Sequence, residues 1–234
     1  MPAALKNIFS DFLMLLFPEF CQACERTLAT GEELVCTHCR LKLPYTNVHL
    51  QPPELNPLSV RFFGKVPMQH VLAYLYFNRA GRTQRLLHAL KYRGVQEVGE
   101  LLGSWYGHTL RESGYAQAFE LIVPVPLHAR KRRQRGYNQS DSFAMGLAAA
   151  LDLPWSNQVL KRTQYTSSQT HKSRPERWEN VAEVFQVISP GLIQNKKILL
   201  VDDVITTGAT LEACGLTLLK AGCAEVNVCT IAAA

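Results

Sequence analysis

The chain has 234 residues, enough for one ordinary domain and a smaller appendage, and its hydrophobic fraction of 47% is globular in kind, which argues against disorder. A net charge of +6 suits polyanionic ligands such as pyrophosphate or nucleic acid, although a moderate excess by itself selects no partner. No apolar run is long enough to span a bilayer, so membrane insertion is not expected.

Ile8 to Phe17 is broken by Ser10 and Asp11 and lacks a small-residue cleavage site, so it does not read as a signal peptide. Phe9, Phe12, Leu13 and Leu16 share one face at helical spacing, which predicts an amphipathic helix packed on the next module. A cytoplasmic location is the expectation. Cys21 and Cys24 then form one CxxC turn, and Cys36 and Cys39 form a second. Paired turns of this kind bring four sulfurs within reach of one tetrahedral ion, and the expected ligand set for a structural Zn2+ is Cys21, Cys24, Cys36 and Cys39. Two disulfides compete with that reading but suit an oxidising compartment, and a redox CxxC needs only one pair. His38 is a substitute ligand that four cysteines make unnecessary.

Residues 44–67 contain Pro52, Pro53 and Pro57 close together and read as a linker laid over the surface. The expected division is residues 1–50 for an N-terminal helix and cysteine module, 51–70 for a linker, and 71–234 for the main domain. Val71 to Phe77 is strand-like. Arg79 to Arg93 has helical spacing, with Leu86, Leu87 and Leu90 on an apolar face and Arg82, Arg85, Lys91 and Arg93 on a basic one, and Gly94 stops it. That basic face is either solvated or meets phosphates. A second helix is expected over about Val98 to Arg111, amphipathic through Leu101, Leu102, Trp105 and Leu110.

Leu121 to Leu127 reads as a buried strand whose prolines mark where pairing ends. Past it come His128, Arg130, Lys131, Arg132, Arg133 and Arg135 with no acid among them, then Gly136-Tyr137-Asn138-Gln139-Ser140 leading into a helix to Leu151. A cationic loop at the end of a buried strand is placed to neutralise an anion, and Val125, Arg130, Arg133 and Arg135 are its candidate residues. Residues 160–180 are polar and unpatterned, with Arg162, Gln164, Gln169, Lys172, Arg174, Arg177, Trp178 and Asn180, and read as a loop.

Ile198 to Val201 is an apolar run suited to a strand covered on both faces, and Asp202 and Asp203 follow at its end. Two adjacent carboxylates are costly to crowd together unless hydroxyls, a cation or solvent answer them. Thr206, Thr207, Gly208, Ala209 and Thr210 then offer hydroxyls and unpaired N–H groups at a helix start, which is a ready anion site. The helix should run to Ala221 and stop at Gly222, and Val226 to Ile231 is a last apolar strand. Cys214, Cys223 and Cys229 lack ligand spacing and read as small core hydrophobes. From residue 121 strands alternate with helices, so the fold class is α/β with an open, mostly parallel sheet whose ligands bind beyond the strands' carboxyl ends.

Residues 198–210 resemble the phosphoribosyl-pyrophosphate-binding motif of type I phosphoribosyltransferases. The resemblance implies that Asp202 and Asp203 meet ribose hydroxyls, that residues 206–210 wrap the 5′-phosphate, that Mg2+ accompanies the pyrophosphate, and that residues 160–180 close over the site and bring the candidates Lys172 and Arg174 to the pyrophosphate. The order of the paired cysteines, Leu90 to Gly94, Val123 to His128 with Arg135 to Ser140, and the acid–threonine motif is similar to that of the ComF family, competence-associated phosphoribosyltransferase-like proteins. Some members carry a second pair of cysteine knuckles, whereas here none stands between Cys39 and Cys214. The resemblance implies a phosphoribosyltransferase linked to DNA uptake. The alternative is a non-catalytic competence protein that binds single-stranded DNA, works with other competence proteins and keeps the pocket as a sensor. No base-reading pattern names the acceptor, and any hood over it is expected from the cysteine module and residues 62–94.

Overall fold

The computed structural model describes residues 18–163 and 184–234. The expected helix over 8–17 and the candidates Lys172 and Arg174 lie outside them. The sheet holds β1 (Val71–Tyr76), β2 (Leu121–Pro124), β5 (Lys197–Ile205) and β6 (Glu225–Ala233) in the order β1-β6-β5-β2, and every pairing is parallel. A two-stranded antiparallel ribbon pairs β3 (Leu160–Arg162) with β4 (Phe185–Val187), so the segment expected as a loop from residue 160 begins as a strand.

Strand residues alternate between two cores, as a period of two requires. Leu72, Tyr74, Ile122, Leu199, Val201 and Cys229 face one, while Val71, Ala73, Leu121, Val123, Ile198, Leu200, Val226 and Val228 face the other. The first core is closed by α2 (Arg82–Tyr92), α3 (Glu97–Glu112) and α5 (Gln139–Leu151), and it runs on into the cysteine module through Cys21, Ala23, Val35 and Cys39. In that module the short helix α1 (Thr37–Leu41) carries Cys39 and is capped by Cys36. The second core is closed by α6 (Ala209–Lys220), by the ribbon and by residues 48–66. Both faces of the sheet are therefore dry, which explains why β2 and β5 read as unbroken apolar runs.

Two expectations change. Residues 44–67 do not simply lie over the surface. They wind through three 3-10 turns, Val48–Leu50, Pro53–Leu55 and Ser59–Phe62, and bury Val48, Leu58, Phe62 and Val66 in the second core. The prolines stop regular structure without stopping burial. The basic stretch after β2 is a helix, α4 (Ala129–Arg135), closed by Gly136 in the left-handed conformation at φ +83°.

The closest helix pairing sets α3 against α5. Gly99, Gly103 and Gly107 recur every four residues on α3, so their bare Cα atoms form one row. A Cβ at Gly103 would stand 2.3 Å from the Phe143 carbonyl oxygen, and one at Gly146 would stand 2.0 Å from that of Glu100. Neither position holds a larger residue without the helices moving apart. This contact sets the height of the first turn of α5 above the sheet.

Candidate functional site

β5 continues as a strand through Asp202 and Asp203 to Ile205, two residues beyond the acids. The acid pair stands at the carboxyl end of the sheet, next to the end of β2 across the parallel pairing. The Ser140 hydroxyl donates to Asp202 Oδ1 at 3.0 Å, and the Asp203 backbone N–H donates to the same oxygen at 2.8 Å. Burial, and then the charge of Asp203, push the Asp202 carboxyl up to about 7 against those two donors. Asp203 has a different partner: Lys91 Nζ lies 2.9 Å from its Oδ2.

The turn after β5 carries Thr206 and Thr207, both exposed, then Gly208 at φ +82° as the N-cap of α6, then Ala209 and Thr210. Glycine adopts that φ without the Cβ penalty, and here it also makes room: a Cβ would meet the Phe62 ring at 3.1 Å. Arg61 holds the turn from behind. Its Nη1 donates to the carbonyls of Ile205 (3.1 Å) and Thr206, and its Nη2 to that of Ala234 (2.7 Å). With those carbonyls tied back, the start of α6 is open to the turn, and the Ala209 N–H donates to Thr207 Oγ1 at 3.4 Å.

Tyr137-Asn138-Gln139-Ser140 is a clip that joins three parts of the site. Asn138 Nδ2 donates to the Val125 carbonyl at 3.0 Å and to Asp141 Oδ1 at 2.6 Å, the Tyr137 hydroxyl donates to the Leu90 carbonyl, and Ser140 reaches Asp202. Val125, expected to face the anion, is buried, with its N–H on the Val201 carbonyl and its own carbonyl on Asn138, so it shapes the backbone there. Arg135 donates to Gln139 Oε1 at 2.8 Å and lies over the Tyr92 ring. Arg130 and Arg133 lie on the exposed part of α4. His128 caps that helix through Nδ1, which accepts the Arg130 N–H at 3.2 Å.

Much of the basic face of residues 79–93 is engaged by the protein itself, although Arg85 and Arg93 stay exposed. Arg82 Nε lies 3.4 Å from Cys39 Sγ, Arg85 donates to the Ala23 carbonyl at 3.0 Å, Arg93 pairs with Glu25 at 2.9 Å, and Lys91 is on Asp203. Sequence periodicity marked this face but gave no sign of its partners. Ser140, Lys91, Arg61 and Asn138 were missed as site residues, because each acts on a group far away in the chain.

Cys21, Cys24, Cys36 and Cys39 bring their sulfurs within 4.8 Å of one another. The Cys36 N–H donates to Cys21 Sγ at 3.3 Å and the Cys39 N–H to Cys36 Sγ at 3.4 Å, as expected of knuckles that support thiolates. No S–S bond joins them, and the donor set fits a tetrahedral zinc. Cys214, Cys223 and Cys229 are buried core residues, as expected.

The family model described as a phosphoribosyl transferase domain matches residues 139–234, the stretch that holds Ser140, the acid pair and the turn of residues 206–210. Together with the parallel sheet, this defines a protein of the type I phosphoribosyltransferase-like class. DNA utilization protein YhgH of Salmonella typhimurium is 30% identical over 92% of this chain and 97% of its own length. Competence protein F of Haemophilus influenzae is 29% identical over 92% and 90%, and competence protein ComFC of Bacillus subtilis is 27% identical over 83% and 82%. The chain belongs to the ComF family.

Proposed function

We propose that the protein binds phosphoribosyl pyrophosphate together with magnesium and transfers its phosphoribose to an acceptor, displacing pyrophosphate from the anomeric carbon. The observation that carries this reading is the unbroken unit from Asp202 to Thr210: two carboxylates at the sheet's carboxyl end, joined by one short turn to the N-terminus of α6. Asp202 and Asp203 accept hydrogen bonds from the ribose hydroxyls. Thr206, Thr207, Gly208, Ala209 and Thr210 surround the 5′-phosphate with hydroxyls and backbone N–H groups. The ribose is thus held at both ends, which fixes the anomeric carbon before any bond breaks. The C1–O bond then breaks towards pyrophosphate, and positive charge develops on the sugar ring beside the two carboxylates. Magnesium supplies charge neutralisation on the leaving pyrophosphate. Arg130, Arg133 and Arg135, with Lys172 and Arg174, are the cations assigned to it.

Calorimetric titration of phosphoribosyl pyrophosphate with magnesium tests the reading. Wild type should bind, and Asp203→Ala should bind at least about tenfold more weakly, the size of one lost charged hydrogen bond. Equal binding by both, or none by either, rules the reading out.

A second reading has its own support. Lys131, Arg132 and Arg133 form an exposed cationic run on α4, and the relatives are named for competence and DNA utilization. The protein would then handle single-stranded DNA, with the pocket as a ligand sensor. Lys91 and Arg82 of the 79–93 stretch are engaged by Asp203 and Cys39, which leaves α4 as the denser exposed cationic surface for such contacts. Binding that falls steeply with salt supports it, and a flat salt response counts against it.

A further inference from the structure

We propose that Lys91 is a positioning residue of this site: its ammonium holds the Asp203 carboxylate in the orientation that receives the ribose, and the cysteine module fixes the helix that delivers it. The inference rests on the assignment of the acid pair to the ribose.

The ion pair is not a loose surface contact. Lys91 Nζ stands 2.9 Å from Asp203 Oδ2, with the two side chains 21% and 18% exposed. Exposed pairs are worth little because water screens them and both side chains must be ordered. Here the water is largely gone, and ordering comes from the helix. α2 is tied at its first turns to the module by Arg82 on Cys39 and Arg85 on the Ala23 carbonyl. Just past its last turn Arg93 pairs with Glu25, and the Tyr137 hydroxyl holds the Leu90 carbonyl. An 11-residue helix held along its length in this way has one register, and that register puts Lys91 on Asp203.

The chemistry of the pair requires such a cation. Ser140 on α5 and Cys214 on α6 also face the acids, and Arg162 on β3 acts on Cys214 from beyond. Among the described residues, Lys91 is the cation in direct contact with a carboxylate of the pair. Without it, the two adjacent carboxylates are left with one hydroxyl donor and a backbone N–H, both on Asp202, and nothing named here orients the Asp203 carboxylate. With it, Lys91 fixes Asp203 through Oδ2 while Ser140 fixes Asp202 through Oδ1. Each carboxylate then has one oxygen engaged and its plane set for a ligand hydroxyl.

The test uses the full-length protein and three forms: wild type, Lys91→Met and Lys91→Arg. Carbon-13 NMR of the aspartate carboxyls follows the titration of the pair with no ligand present. In Lys91→Met the carboxyl titration should move up, and Lys91→Arg should return it towards wild type. Calorimetry with phosphoribosyl pyrophosphate and magnesium, in two buffers of different ionisation enthalpy, should show roughly tenfold weaker binding and greater proton release by Lys91→Met. Binding of inorganic phosphate, which needs only residues 206–210, should be unchanged and serves as the control for folding. An unmoved carboxyl titration overturns the proposal, and so does a moved titration with unchanged ligand affinity. If wild type itself fails to bind phosphoribosyl pyrophosphate, the functional reading falls, while the carboxyl titration still judges the Lys91 contact.

Discussion

At the scale of single residues, the site is a negotiation over charge at the end of one strand. Asp202 carries its carboxyl at about 7 because burial and Asp203 outweigh the Ser140 hydroxyl and the Asp203 N–H. In the unfolded chain that carboxyl titrates near its ordinary value of 3.8, so between about pH 4 and 7 the folded protein binds more protons than the unfolded one. Stability from this group is therefore greatest at low pH and is lost as pH rises through 7. Asp202→Asn removes the cost. Urea unfolding should show the variant equal to wild type near pH 4 and more stable near pH 8 by about 1–3 kcal/mol, a range discounted for partial solvation. A variant less stable than wild type at pH 8 would refute the assignment. The gain should come with weakened ribose binding, since an amide offers the ligand one acceptor where a carboxylate offers two.

At the scale of elements, glycines in a helix determine how the site is assembled. The periodicity of Leu101, Leu102, Trp105 and Leu110 predicted a leucine-faced helix over 98–111, and a helix is there. Its buried face instead runs through Val98, Gly99, Leu102, Gly103, Tyr106, Gly107 and Leu110, with Leu101 and Trp105 only partly buried. Hydrophobicity scales count side chains and are blind to a face made of missing ones. The glycine row lets α5 approach until Gly146 sits on the Glu100 carbonyl, and that approach carries Asn138 and Ser140 to the ends of β2 and β5. Gly146→Ala would put a Cβ 2.0 Å from that oxygen, so the helices must separate. The expected loss is about 2–4 kcal/mol of stability, typical of overpacking against backbone with no room to yield. Thermal melting checks it, and a melting temperature within a degree of wild type would mean that the helices do not pack this closely.

At the scale of the whole molecule, the cysteine module and the main domain share one core. Cys21, Cys36 and Cys39 pack in the same cluster as Leu86, Leu90 and Phe143, and Arg82, Arg85 and Arg93 cross the junction. Removal of a zinc held by the four cysteines should therefore be felt beyond the module. Stripping zinc with a strong chelator, or Cys39→Ser, should release one zinc per chain by elemental analysis, lower the melting temperature, and raise amide exchange in residues 82–92. Metal loss that leaves exchange in that helix unchanged would show that the module is only an appendage.

The sequence by itself determined the local chemistry: the apolar run into Asp202 and Asp203, the Thr-Gly turn, the four cysteines, and the longer strands and helices, though not α1, α4 or the β3–β4 ribbon. These are legible because each depends on residues within a few positions of one another, where spacing and side-chain type decide the outcome. Tertiary structure decided the partners. Ser140 lies 62 positions from Asp202 in the chain, and Arg61 lies 145 from Thr206. No local pattern marks such pairs, because the contact exists only once the parallel sheet has ordered its strands and the glycine row has set the height of α5. The basic face of residues 79–93 shows the difference most clearly. Its spacing announced cations on one side of a helix, and only the packed molecule showed them engaged by a cysteine sulfur, a backbone carbonyl, a glutamate and Asp203.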